Sequence, residues 1–222
     1  MVRKQIIALF IIVGVSLFAL SSAVAGDWEH VGETDGVDVH SKEVPDSDLF
    51  AFRGEMTANV HIGKIITVYT NPNQRPHWVH DFGDSETLDI TRDSERYWIK
   101  FDLSWPATDR DFVFQGDYDF DEDNRKFTAR IRSVQDERKP EDDCCVRAEG
   151  ETTYTFEAIP GQEMTRIVVE SQTDPKGRLP GRLVRRTQRD WPVVTLTNLV
   201  ERASASNIDI DPRVSDWHDV DE

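Results

Sequence analysis

His77-Trp78-Val79-His80-Asp81 sets two imidazoles three positions apart, a spacing that brings both to one face of a helix and suits a shared metal ion. A metal centre needs a third protein ligand at a recognised spacing, and none accompanies this pair. Two surface histidines beside a packed Trp78 satisfy the pattern equally well. Cys144 and Cys145 are the chain's two cysteines and they are adjacent. Neighbours cannot cross-link distant segments with each other, so no internal disulfide framework holds this fold. In oxidising surroundings they close a vicinal disulfide or pair with another molecule; otherwise they stay a reduced pair at the start of a strand. The carboxylates are many but scattered, and without distances none can be matched as acid and base. There is no nucleophile elbow, no glycine loop that cradles phosphate and no zinc-hydrolase helix. No catalytic residue, metal or cofactor is therefore expected, and a binding protein is preferred to an enzyme.

The elements that position these residues follow from periodicity. Val37 to Val44 reads as a short strand. Phe50, Phe52, Met56 and Ala58 alternate with Arg53, Glu55 and Thr57, the period of a sheet with one buried face. Ile62, Ile65, Ile66 and Tyr69 recur at helical spacing; Asn71-Pro72 stops that helix, and Pro76 to Val79 suggests a second short turn. From Thr87 the pattern becomes almost wholly β. Tyr97, Ile99, Phe101 and Leu103 share one face, as do Phe112, Phe114, Tyr118 and Phe120. The polar turn 121–124 leads into Phe127, Ala129 and Ile131, and Pro160-Gly161 joins Val146–Phe156 to Thr165–Thr173. Sequential hairpins imply an antiparallel sheet. Leu183, Val184, Thr187, Trp191, Val194, Thr195 and Asn198 then form the apolar stripe of a long helix ending near Ala205. Pro192 within it removes one helical hydrogen bond and marks either a kink or a break. A sheet with one apolar face needs a cover, and this helix is the one long element available, which gives an α+β fold.

Arg3 and Lys4, an apolar run from Ile6 to Leu20, and Ala23-Val24-Ala25 have the layout of a secretory signal peptide cleaved near Ala25. The rival reading is an uncleaved anchor, since residues 6–25 carry no charge and approach the roughly 20 residues that span a bilayer. A periplasmic or secreted protein is expected. The domain plan is 1–25 signal peptide, 26–206 folded domain and 207–222 a loosely attached acidic tail. The chain's net charge is −16, and becomes −18 without the first 25 residues, which hold two basic residues and no acidic one. Nucleic acid is thereby disfavoured as a partner, and solubility is the plain account of the charge.

Ser104-Trp105-Pro106-Ala107-Thr108-Asp109-Arg110-Asp111-Phe112-Val113 resembles the proline-containing loop and Arg-Asp-Phe-Val strand of the START (steroidogenic acute regulatory protein-related lipid transfer) family. Asp174-Pro175-Lys176-Gly177-Arg178-Leu179-Pro180 is similar to that family's lead-in to its last helix. Phe50 to Glu55, Trp78 and Val146-Arg147 fall in the matching order, so the likeness covers Trp28 to about Ala205. The resemblance implies a helix-grip fold, a curved antiparallel sheet around a long C-terminal helix. It also implies an internal hydrophobic tunnel for one lipid such as a sterol or phospholipid, gated by residues 104–110 and that helix. The related aromatase/cyclase enzymes and lipid-sensing modules are the alternatives it leaves.

On that reading the ligand-facing residues are Phe101, Leu103, Phe112, Phe114, Tyr154, Val169, Val184, Trp191, Val194 and Asn198, each of which packing would also explain. Asn198 and Thr195 offer either an orienting hydrogen bond to the ligand or a back-bond to their own helix. Arg110, between two carboxylates, is placed to fix the gate loop. Arg178, Arg182, Arg185, Arg186 and Arg189 supply either a dock for an anionic membrane or a solvated face paired with nearby carboxylates.

Overall fold

The computed structural model describes residues 27–45, 47, 49–105 and 107–220. The signal segment expected at 1–25 lies outside them, and among the described residues no helix is long and apolar enough to cross a membrane. Ten strands form one sheet: β1 (Glu29–Thr34), β2 (Val37–Glu43), β3 (Phe50–Ala58), β4 (Phe82–Ile90), β5 (Ser94–Phe101), β6 (Arg110–Asp121), β7 (Lys126–Ser133), β8 (Val146–Arg147), β9 (Glu149–Ile159) and β10 (Met164–Asp174). Their hydrogen-bonded order is β1-β2-β3-β10-β9-β7-β6-β5-β4, with β8 beside β6. Every pairing is antiparallel except β6 with β8. Register shifts in the β1–β2 and β4–β5 pairs add the extra residues that bend a sheet. The helices are α1 (Ile62–Thr70), a 3-10 helix (Pro72–His77), α2 (Gly181–Ala203) and a 3-10 turn (Pro212–Val214). This is the curved antiparallel sheet with a C-terminal helix that the sequence predicts.

The differences lie where the apolar signal is thin. β1 and the first half of β4 have few buried side chains, so they carry no alternation to read. Val146 and Arg147 do not run on into the long hairpin; they leave it to pair in parallel with Arg110 and Asp111. The second short helix occupies Pro72–His77, ahead of the expected Pro76–Val79.

The core lies between the sheet's inner face and the two α-helices. Phe127, Phe156 and Ile167 from the sheet meet Ile62, Ile65 and Ile66 of α1 and Leu196 and Leu199 of α2, all with no accessible surface. α2 runs unbroken through Pro192, because buried Val193, Leu196 and Leu199 hold it from outside. At Gly54 of β3, an added Cβ would stand 2.7 Å from the Pro192 Cβ. The missing side chain is what lets helix and strand approach so closely.

One expectation is overturned. The acidic stretch 207–222, read as a loosely attached tail, is docked on the domain through its described part. Ile208, Val214, Trp217 and His218 are buried, and the Asp211 amide donates to the Gly63 carbonyl at 3.1 Å. Its apolar residues are spaced irregularly because each fills a different recess, so no period announces them.

Candidate ligand-binding interior

α2 lies on β2, β3, β10 and α1. A second apolar cluster joins Tyr97, Ile99 and Phe112 of β5 and β6 to Ala148 just after β8, with Phe101 and Phe114 against them. Phe112 stacks on Phe114 at 4.8 Å, and Phe101 meets Phe112 edge to face at 5.7 Å. Val79 packs on both this cluster and the main core. Phe101, Phe114, Ile131, Trp191 and Val194 point inward yet stay only half-buried, so the interior is less tightly closed here than on the β3–β10 side.

The residues chosen from sequence divide accordingly. Phe101, Phe112 and Phe114 share the aromatic wall, with Tyr154 and Trp191 further in, their rings 6.5 Å apart. Val184, Val194 and Leu103 are half-buried. Val169 has no accessible surface and belongs to the packed core. Asn198 back-bonds to nothing in its own helix; its Nδ2 donates to the Trp78 carbonyl at 3.2 Å and ties α2 to the end of the 3-10 helix.

Sequence reasoning missed a polar node inside this apolar space. Arg75, from the 3-10 helix, pairs with Glu95 of β5, and neither side chain has more than 6% of its surface exposed. The Arg75 guanidinium lies 4.0 Å from the centre of the Tyr97 ring. Glu95 also accepts from the Thr87 hydroxyl at 3.0 Å and the Tyr118 hydroxyl at 3.4 Å. A buried ion pair persists only where such bonds repay its desolvation. Tyr97 and Tyr118 touch it, and Tyr69 packs between Tyr118 and Tyr154 beyond them. Burial pushes the Tyr97 pKa up to about 12, and burial, then Glu95, raises Tyr118 further; burial likewise raises Tyr69 and Tyr154. All four stay protonated at neutral pH, and Tyr118 donates its hydroxyl hydrogen to Glu95. One signal was legible: Glu95 falls on the same strand face as Tyr97, Ile99 and Phe101.

The Asp109-Arg110-Asp111 motif divides its work by direction. Asp109 Oδ1 accepts from the Leu103 amide at 2.9 Å and closes the loop. Arg110 donates to the carbonyls of Thr108, Pro175 (2.7 Å) and Lys176 (3.2 Å), joining the gate loop to the segment before α2. It does so through backbone carbonyls. Asp111 faces the outer side, where it accepts from Trp98 Nε1 at 2.7 Å and pairs with Arg147 at 2.8 Å.

Other sites fall outside the interior. His77 and His80 are exposed and Trp78 is buried. Cys144 and Cys145 are joined to each other in a disulfide. A cleft of about 550 Å³ on the outer face is lined by charged Arg132, Glu141 and Arg147 and by apolar Leu49, Val113 and Val134, among others.

A curved antiparallel sheet gripping a C-terminal helix over an aromatic interior defines the helix-grip class. The START domain profile matches residues 20–191, and the chain belongs to the START domain family. It is 24% identical over 178 residues to an uncharacterized protein of Pseudomonas aeruginosa, covering 80% of this chain and 87% of that one. Among solved structures, the STAR-related lipid transfer protein of Xanthomonas axonopodis superposes with a TM-score of 0.72 at 23% identity, over 80% of this chain and 99% of that one. Human StAR-related lipid transfer protein 5 superposes with a TM-score of 0.72 at 20% identity, over 82% and 88%. These likenesses establish the fold.

Proposed function

We propose that this protein binds one apolar molecule, a lipid such as a sterol or phospholipid, between α2 and the β5–β6 wall, and carries it without chemical change. The observation that carries this reading is the division of the apolar interior into two clusters in which Phe101, Phe114 and Trp191 stay only half-buried. Each buried CH₂ contributes about 0.8 kcal/mol, so an acyl chain or sterol nucleus gains several kcal/mol on entering. Export follows from the signal-like first 25 residues, with work in the periplasm or outside the cell.

Contact with a membrane fits the gate. Trp105 is 92% exposed on the gate loop, and Arg178, Arg182, Arg185, Arg186 and Arg189 are exposed on the opposite lip. An anionic bilayer would receive both, the indole in its interface and the guanidinium groups at its phosphates.

Native mass spectrometry of the purified protein, with solvent extraction of whatever it carries, tests the carrier reading. One apolar molecule per chain is expected, and a protein that stays empty when offered lipid defeats it. Liposome sedimentation with the five arginines changed to glutamine tests the dock, which fails if binding is unaltered.

A further inference from the structure

Cys144 and Cys145 close a disulfide between neighbouring residues on the loop that leads into β8. Cys144 is exposed and Cys145 half-buried, so the pair sits at the surface, clear of both apolar clusters. A carboxylate oxygen of Asp142 and the two sulfurs all lie within 4.8 Å of one another. Among the described residues this is the one trio of metal-ligating side chains so placed. The turn that carries it is held on both sides. The Cys144 amide donates to Asp142 Oδ1 at 2.9 Å. Val146, directly after Cys145, donates its amide to the Asp109 carbonyl at 3.0 Å, where β8 joins β6.

Adjacency decides what reduction does here. Sulfurs on distant segments are free to part once their bond is cut, whereas a pair on consecutive residues stays together. A dithiol supplies two electrons and two protons to the Cys144–Cys145 bond, its own two sulfurs joining, and leaves two thiols beside Asp142. Thiolates are ligands for soft cations, and the run Glu141-Asp142-Asp143 makes the surroundings negative. With two sulfurs in three ligands, the set suits Zn²⁺ or Cd²⁺; Ca²⁺ and Mg²⁺ take oxygen. A carboxylate has lone pairs enough for both the Cys144 amide and an ion.

We infer that the reduced Cys144–Cys145 pair, with the Asp142 carboxylate, binds one thiophilic divalent cation. Each thiol releases its proton to solvent as its sulfur bonds the ion, so the disulfide and the metal complex are alternative states of one site. Lipid binding plays no part in it.

The intact protein, reduced with a phosphine and freed of reductant without air, is titrated with CdCl₂. Native mass spectrometry counts the ions taken up, and sulfur-to-cadmium charge-transfer absorbance reports which atoms hold them. The reduced protein is expected to take up one Cd²⁺ and develop the band, and the oxidised protein to do neither. Loss of a supporting partner alone weakens metal sites about 10- to 100-fold, so Cys144→Ser is expected to weaken uptake by at least about 100-fold. Asp142→Asn, whose amide oxygen still accepts from the Cys144 amide, is expected to weaken it about tenfold. An excess of Zn²⁺ should compete, and the same excess of Ca²⁺ should not. Equal uptake by the oxidised protein, or displacement by Ca²⁺, overturns the proposal, because the acidic run 141–143 would then account for binding without the sulfurs. No uptake by the reduced protein, or uptake that Cys144→Ser leaves unchanged, overturns it too. Uptake unchanged in Asp142→Asn removes the carboxylate and overturns the three-ligand site.

Discussion

His218 closes the N-terminal end of α1: its Nε2 accepts the Ile62 amide hydrogen at 3.0 Å, from a residue 156 positions away. Nδ1 lies 2.6 Å from the Gln162 carbonyl and so holds the ring's proton. A histidine that caps a helix this way belongs to the fold. His218→Ala leaves the Ile62 amide buried without an acceptor, and is expected to cost about 1–3 kcal/mol in urea denaturation. An unshifted midpoint would show that the 208–219 segment contributes nothing.

His61 stands beside it, ring centres 4.4 Å apart, with Nδ1 accepting from the Gly63 amide at 3.0 Å. Burial first, then His218, holds its pKa below the ordinary 6.5; Lys64 acts the same way, against the Ser215 backbone and Glu163. The unfolded chain therefore binds the proton more readily. The resulting stability is complete above the ordinary imidazole value and is lost as pH falls from there to the lowered folded value. Unfolding free energy should drop as pH falls through the ordinary 6.5 toward the lowered folded value, and the slope should flatten in His61→Asn, which keeps an acceptor for Gly63. The same slope in both proteins would place the titrating group elsewhere.

Arg110 joins the 104–109 loop to the segment before α2 through three carbonyls. Lysine cannot reproduce that fork. Arg110→Lys should speed amide hydrogen exchange across residues 104–109 and 175–180 about tenfold while the β9–β10 hairpin keeps its protection. Equal exchange in both loops would separate Arg110 from gating.

Glu95→Gln strips the buried Arg75 of its counter-charge, and should cost about 3–5 kcal/mol. Replacing both, Arg75→Met with Glu95→Leu, should recover much of that loss, since neither charge is then left alone. Chemical denaturation of the single and double variants makes the comparison, and a double variant no more stable than Glu95→Gln would contradict it.

The strands of the inner face were legible because Phe112, Phe114, Phe127, Phe156 and Ile167 each sit two residues from another apolar neighbour. α2 was legible for the same reason at helical spacing. The polar node was not: Arg75 lies in a six-residue 3-10 helix with no period of its own, and only folding carries it to Glu95. The tail was misread because an acidic composition hid Val214 and Trp217, whose burial depends on recesses made by other elements.

Periodicity and the START-like motifs by themselves determined the sheet, the closing helix and the apolar character of the face between them, because those depend on neighbours a few positions apart. Tertiary structure decided which of those apolar residues are sealed, as Val169 is, and which stay half-buried, as Phe114 does. It also decided that Arg75 and Glu95 would meet as an ion pair in the interior. Such meetings are set by how chain-distant segments pack, and no local pattern encodes them.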